Sequence, residues 1–190
     1  MLSKIRHFVD HNTLVMIYYG IFSSILMYSS QIWGQNNRIV KRLQTLQNKA
    51  LRIINFQLRR TSATPLYGKC KILKLRDNIG LQNFLLAYDS INCRLPSSLN
   101  KLFTFVEGDR AHDTRTVTLF QLNRPQTRTI LYGSNSIKSK SIDIWNYFNL
   151  HFKEKNLYVK SRSICKNFVT KVMINRYQEN SRTNVEINIY

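Results

Sequence analysis

The chain has 190 residues, and 29 Lys plus Arg against 10 Asp plus Glu leave a formal charge of +19. Its 43% hydrophobic and 12% aromatic content can build a core, which excludes a chain kept disordered by low hydrophobicity. Six glycines and three prolines exclude collagen-like or Gly/Pro-rich sequence, and the cation excess points to a polyanionic partner, nucleic acid ahead of an anionic membrane.

Residues 1–10 place Leu2, Ile5, Phe8 and Val9 at helical spacing, so the chain is expected to open inside a helix, as a fragment of something longer would. From Leu14 to Trp33 the sequence is apolar, and no charged residue occurs between Asp10 and Arg38. The stretch is long enough to span a bilayer and has Lys4 and Arg6 ahead of it, as a signal-anchor does. Gly20, Ser23, Ser24, Ser29, Ser30 and Gln31 dilute it. Gly20, Ser24, Met27 and Gln31 share one side, small and polar, where a second helix can approach. The preferred reading is a helix buried in a helical core, with Asp10, Asn12 or Thr13 as its cap.

Residues 37–56 carry two faces. Ile39, Leu43, Leu46, Ala50, Ile53 and Ile54 form an apolar stripe, and Arg38, Lys41, Arg42, Lys49 and Arg52 fall within an arc of about 100° on the other side. No carboxylate occurs on this helix, so these cations have no i,i+4 partner. That pattern reads as a rail for phosphates rather than a merely solvated face.

The basic character continues through Arg59, Arg60, Lys69, Lys71 and Lys74, with a turn or helix start at 61–65. A helix is expected from about Asp77 to Asn92, with Ile79, Phe84, Leu85, Tyr88 and Ile91 inward. Residues 94–98 break it, and a brief helix follows to about Phe103. After Phe105 the composition shifts, and 107–141 read as loops with short extended pieces. There Arg110, Arg115, Arg124, Arg128, Lys138 and Lys140 alternate with Thr and Ser hydroxyls, chemistry suited to phosphate contacts and equally common in exposed loops. The aromatic run 142–152 reads as a core anchor rather than a base-stacking platform. A last amphipathic helix reaches Tyr177, with Ile164, Phe168, Val172 and Met173 inward.

Catalytic chemistry finds little footing. Glu107 and Asp109 are the closest carboxylates and read as solvated turn residues, not as a two-metal site. His7 and His11 have the i,i+4 spacing of a zinc helix, but Phe8 follows where a metalloprotease has Glu, and a helix boundary is expected between Val9 and Asp10. Cys70, Cys93 and Cys165 are odd in number, far apart and free of any CxxC. They exclude a zinc ribbon, argue for a reducing compartment and read as small buried hydrophobes. The absence of an Asn-x-Ser/Thr sequon agrees with an intracellular chain, in nucleus or cytoplasm.

The order of segments resembles the C-terminal part of a non-LTR (LINE-type, jockey-like) retrotransposon reverse transcriptase. The resembling pieces are TLVMIYYGIFSSILMYSSQIWG (13–34), RLQTLQNKALRII (42–54), TPLYGKCKILKLRD (64–77), LQNFLLAYDSINCRLPSSL (81–99), HDTRT (112–116) and SIDIWN (141–146). In that family the palm, with a Tyr-x-Asp-Asp signature, lies upstream of the region that this chain resembles. The chain carries no such motif, so the resemblance implies the thumb and the segment after it, without the catalytic centre and its Mg²⁺. The thumb's helices would grip an RNA template and an RNA–DNA heteroduplex. Trp145-Asn146 is followed by Tyr147-Phe148 where the family continues with Leu-Pro, a departure that suggests a degenerate copy. The cysteine–histidine finger at the end of some relatives is also missing.

The expected architecture is therefore mainly α: a helical thumb-like region at 1–105, then a loop-rich basic segment with a C-terminal amphipathic helix at 106–190. The expected function is non-enzymatic binding of nucleic-acid backbone, without a cofactor. Its contacts are Arg38, Lys41, Arg42, Lys49, Arg52, Arg59, Arg60, Arg115, Arg124, Arg128, Lys138 and Lys140, and the upstream palm of a full-length parent is a second partner. The alternatives are a membrane-anchored basic protein using residues 14–33, and a relic with no present activity.

Overall fold

The computed structural model describes residues 2–106, 121–151 and 160–183, with the side chains of 131–132 and 178–183 excepted. The fold is mainly α. Ten α-helices are described: α1 (Leu2–Ile5), α2 (His11–Ile17), α3 (Ser24–Met27), α4 (Ser30–Trp33), α5 (Asn37–Ile54), α6 (Thr64–Cys70), α7 (Leu75–Ile91), α8 (Ser97–Asn100), α9 (Ile137–His151) and α10 (Arg162–Thr183). Wider π-helical turns occupy Tyr18–Ser23 and Ile130–Ser134. The β-pairing among the described residues is an isolated bridge between Phe105 and Leu122.

The chain divides into two compact units. One takes the residues up to Ile79 together with those from Val169; the other is Gly80–Phe168. This division differs from the composition shift after Phe105. The physical reason lies in α7, whose aromatic half packs with residues far downstream: Phe84 stacks on Trp145 at 5.3 Å and meets Phe148 edge-on at 5.4 Å.

In the first unit, helix α2 starts where expected. The Asp10 carboxylate accepts from the Asn12 N–H at 3.2 Å and from the Thr13 hydroxyl, which caps α2 and holds the Asp10 carboxyl below its usual range. The segment from α2 to α4 then runs antiparallel to α5. His11 reaches the Ile54 carbonyl at 3.2 Å, Tyr18 meets Gln47, and Leu26 packs with Val40. Leu26, Val40, Leu75 and Ile79 close the top of this core, with Phe22, Met27, Trp33 and Leu43 against them.

The apolar run 14–33 is not one helix. It widens into a π-helical turn at Tyr18–Ser23 and breaks at Ser29, which has a left-handed φ of 50°. No helix among the described residues is long and apolar enough to cross a membrane. The run is also only partly buried, which corrects the expectation of a helix buried in a helical core. Leu14, Tyr18, Leu26 and Ser30 face inward, while Met16, Ile25, Tyr28 and Ile32 are 66–80% exposed. Of the stripe that carries Gly20, Met27 packs against the Val40 and Leu75 core, while at Gly20 itself nothing among the described residues lies within 4 Å of where a Cβ would stand. The close approach falls at Gly34 instead, where a Cβ would sit 2.2 Å from the Ser30 carbonyl and 2.8 Å from Ile79 Cδ1. Gly34 is needed there for space, since its φ of −67° suits any residue.

In the second unit, Trp145, Phe84, Phe148, Ile142, Leu122 and Cys165 are all at most 1% exposed. Within the described part of the run, Ile142, Trp145 and Phe148 therefore supply a core anchor, as read from the sequence; Phe152 lies outside the described residues. Asn146 fixes the incoming chain: its Oδ1 accepts from the Leu122 N–H and its Nδ2 donates to the Leu122 carbonyl, both at 2.9 Å. The helix α9 begins at Ile137, so Lys138 and Lys140 are helical rather than in a loop. Along α10, whose residues from Val169 belong to the first unit, the described buried positions are Cys165, Val169, Met173 and Tyr177; Met173 is inward as expected, while Ile164 is 53% exposed. The residues 107–120, with HDTRT, Glu107 and Asp109, lie outside the described residues.

Candidate nucleic-acid interface

The helix α5 is set by its cap and its inner face. Asn36 Oδ1 accepts from the N–H groups of Arg38 (3.0 Å) and Ile39 (3.3 Å). The buried positions are Val40, Gln47, Ala50, Leu51 and Ile54. This corrects the expected stripe: Ile39 is 40% and Leu46 50% exposed. The apolar face is rotated because a glutamine occupies its centre, which a count of hydrophobic residues passes over.

Gln47 is 2% exposed and fully employed. Its Nε2 donates to the Tyr18 hydroxyl (2.8 Å) and the Leu73 carbonyl (2.9 Å), and its Oε1 accepts from the Leu75 N–H (2.8 Å). Gln44 Oε1 accepts from the same N–H at 3.0 Å, and its Nε2 donates to the Tyr67 hydroxyl at 2.6 Å. Tyr67 in turn donates to Asn48 Oδ1 at 2.6 Å. Burial pushes the Tyr18 phenol up to about 12 and raises Tyr67 as well, so both stay neutral donors and acceptors. This network locks the rotation of α5 about its axis.

The consequence appears on the opposite side. At 100° per residue, Arg38, Lys41, Arg42, Lys49 and Arg52 lie in an arc of about 100° centred roughly 170° from Gln47. Arg38, Lys41, Arg42 and Lys49 are exposed, and none is ion-paired among the described residues. Arg52 is half-buried and its Nε donates to the Thr61 carbonyl at 2.7 Å. From Arg38 to Arg52 the rail extends about 21 Å along the axis. Thr45, exposed in the middle of the arc, was missed from sequence although the same helical spacing places it there. Arg59 and Arg60 follow in an exposed turn.

The remaining candidates belong to the second unit and differ in kind. Arg124 is closed onto Asp143 at 2.9 Å. Burial lifts the Asp143 carboxyl above its usual range and outweighs the pull of Arg124 and Lys140. Arg128 is exposed, and Lys138 and Lys140 are half-buried on α9. Arg115 lies outside the described residues. The structure thus brings five of the twelve candidates onto one helical face and continues them with two more.

Among the described residues no group of three or more His, Cys, Asp or Glu gathers to hold a metal. His11 opens α2 and His7 lies in the turn before it, so the two do not share a helix. Of the cysteines, Cys165 is buried, Cys70 half-buried against Asn55, and Cys93 exposed, so the reading of all three as buried hydrophobes holds for Cys165 alone. No protein-family model, curated protein or solved structure matches the chain.

Proposed function

We propose that this chain binds the sugar–phosphate backbone of nucleic acid through the outer face of α5. The carrying observation is the unneutralised row Arg38, Lys41, Arg42 and Lys49, with Thr45 between them, on a helix whose rotation is fixed from within. A backbone contact needs cations and hydroxyls at helical spacing, and it needs no base-reading groups. The resemblance of the sequence to the thumb and downstream segment of a LINE-type reverse transcriptase supports an RNA template or RNA–DNA heteroduplex as ligand. On this reading the chain is a non-catalytic part of an intracellular RNA-directed DNA polymerase, whose Mg²⁺ belongs to the palm. The exposed Met16, Ile25, Tyr28 and Ile32 are then the face that the upstream polymerase region would cover.

The test is fluorescence anisotropy of the purified chain with an RNA–DNA heteroduplex at three salt concentrations. The variant changes Arg38, Lys41, Arg42 and Lys49 to Gln and spares Arg52, which holds Thr61. Affinity should fall steeply with salt, and the variant's slope should be shallower by up to about 0.9 per lost phosphate contact. An unchanged slope in the variant would reduce the rail to a solvated surface.

A further inference from the structure

The turn that follows the rail carries a feature that backbone binding does not use. Arg59-Arg60-Thr61-Ser62 contains the only Arg-Arg pair in the sequence. We infer that Ser62 is a phosphorylation site for an arginine-directed protein kinase, and that its phosphate discharges the C-terminal end of the α5 rail; the second half rests on the nucleic-acid reading above.

Three observations converge. The first is access. Residues 55–63 are non-helical, and Phe56, Gln57, Leu58, Arg59, Arg60 and Ser62 are exposed. Among the described residues no hydrogen bond holds the Ser62 hydroxyl. Kinase grooves take short irregular segments; here the Thr61 N–H bonds the Leu58 carbonyl at 3.1 Å inside the same turn, and the Arg52–Thr61 bond and the buried Ala63 must open with it. The second is recognition. Two guanidinium groups stand three and two residues before the hydroxyl, the pattern that a carboxylate-lined substrate groove selects by charge-assisted hydrogen bonds. Other serines preceded by cations differ in setting: Ser97, three residues after Arg94, is exposed but is the first residue of α8 and has one guanidinium rather than two before it. Ser141 is fully buried behind Lys138 and Lys140, and Ser163 follows Arg162, which is bound to Asp89 at 3.0 Å. The third is the electrostatic consequence. Arg52, the last cation of the rail, donates to the carbonyl of Thr61, one residue before Ser62. A phosphate carrying about −1.5 to −2 charges would therefore form among Arg52, Arg59 and Arg60 and neutralise them in place of a nucleic-acid phosphate.

The chemistry is ordinary phosphoryl transfer. The Ser62 hydroxyl oxygen bonds to the γ-phosphorus of a kinase-held nucleoside triphosphate. The bond to the β,γ-bridging oxygen breaks, the nucleoside diphosphate leaves, and the hydroxyl proton passes to the kinase's catalytic carboxylate.

The experiment uses the full chain, Mg–ATP and the catalytic subunit of the cyclic-AMP-dependent kinase, with the site mapped by peptide mass spectrometry. One phosphate is expected at Ser62. Ser62→Ala should abolish it. Arg59→Gln with Arg60→Gln should lower kcat/KM on the order of a hundredfold, since each charge-assisted contact is worth at least about tenfold. Both variants change exposed turn residues, and an unchanged circular dichroism spectrum confirms that they fold. Label at Ser163 or elsewhere in place of Ser62 would overturn the site. Anisotropy with the heteroduplex decides the second half. The phosphorylated chain should show a salt slope shallower by up to about 1.8, equivalent to two lost phosphate contacts, while unmodified Ser62→Ala matches wild type. An unchanged slope after stoichiometric phosphorylation would overturn the discharge while leaving the site. Absence of binding by the unmodified chain would overturn the proposed function and the discharge together, and the label at Ser62 would still decide the site.

Discussion

The two units put some of their cations and apolar side chains to different use. In the second, Arg124 and Arg162 are each closed onto an aspartate, and Phe84, Trp145 and Phe148 are stacked out of water. In the first, Arg38, Lys41, Arg42 and Lys49 are not ion-paired among the described residues, and Met16, Ile25, Tyr28 and Ile32 stand in solvent. Cations paired within the chain contribute modestly to its own stability and little to recognition. Cations left unpaired keep their charge for another molecule. The proposed backbone contacts rest on this difference.

The two tryptophans make the contrast measurable, because Trp33 belongs to the first unit and Trp145 to the second. The largest effect is expected from Trp145→Ala, which empties the stacked core and should cost roughly 3–5 kcal/mol. Urea denaturation monitored by the remaining Trp33 reads whether the loss stays in the second unit. A smaller effect, roughly 2–4 kcal/mol, is expected from Gln47→Leu, which strands the Leu73 carbonyl and the Tyr18 hydroxyl in the interior. With fluorinated tryptophan as a ¹⁹F probe, the Trp33 transition should move before the Trp145 transition. If the two signals stay superimposed, the units melt as one and the contrast does not extend to stability.

The smallest effects are in the titration of two aspartates. Asp10, held by its hydrogen bonds to Thr13, should titrate below 3.8; Asp143, raised mainly by burial, above it. The signs are opposite. Asp10 contributes stability that is present above 3.8 and lost as pH falls through its depressed value. Asp143 in its protonated form favours folding below 3.8, and that contribution is lost as pH rises through its raised value. Carboxyl-detected NMR resolves both, and a common midpoint would remove this distinction between the units.

The elements were largely legible in the sequence, because Asp10, the break at 94–98 and the periodicity of 77–92 are local signals. The rail was legible too, since like charges at helical spacing need no tertiary information. The inward faces were harder. Gln47 at the centre of α5 is a residue that hydrophobic periodicity does not count as core, and on α10 the exposed Ile164 drew the expected stripe one residue round from Cys165 and Val169. The bend at Ser29 was hidden because serine carries no strong signal for a left-handed conformation. Asn146 was readable as part of a motif, whereas its grip on Leu122 required a contact 24 residues away.

Gly34 leaves a trace at the level of the gene. Any base change at the first or second position of its codon either ends translation or installs a side chain where the Ser30 carbonyl and Ile79 already stand. The joint between the apolar run and α5 therefore leaves position 34 no tolerated side chain, and even Gly34→Ala sets a methyl group against the Ser30 carbonyl.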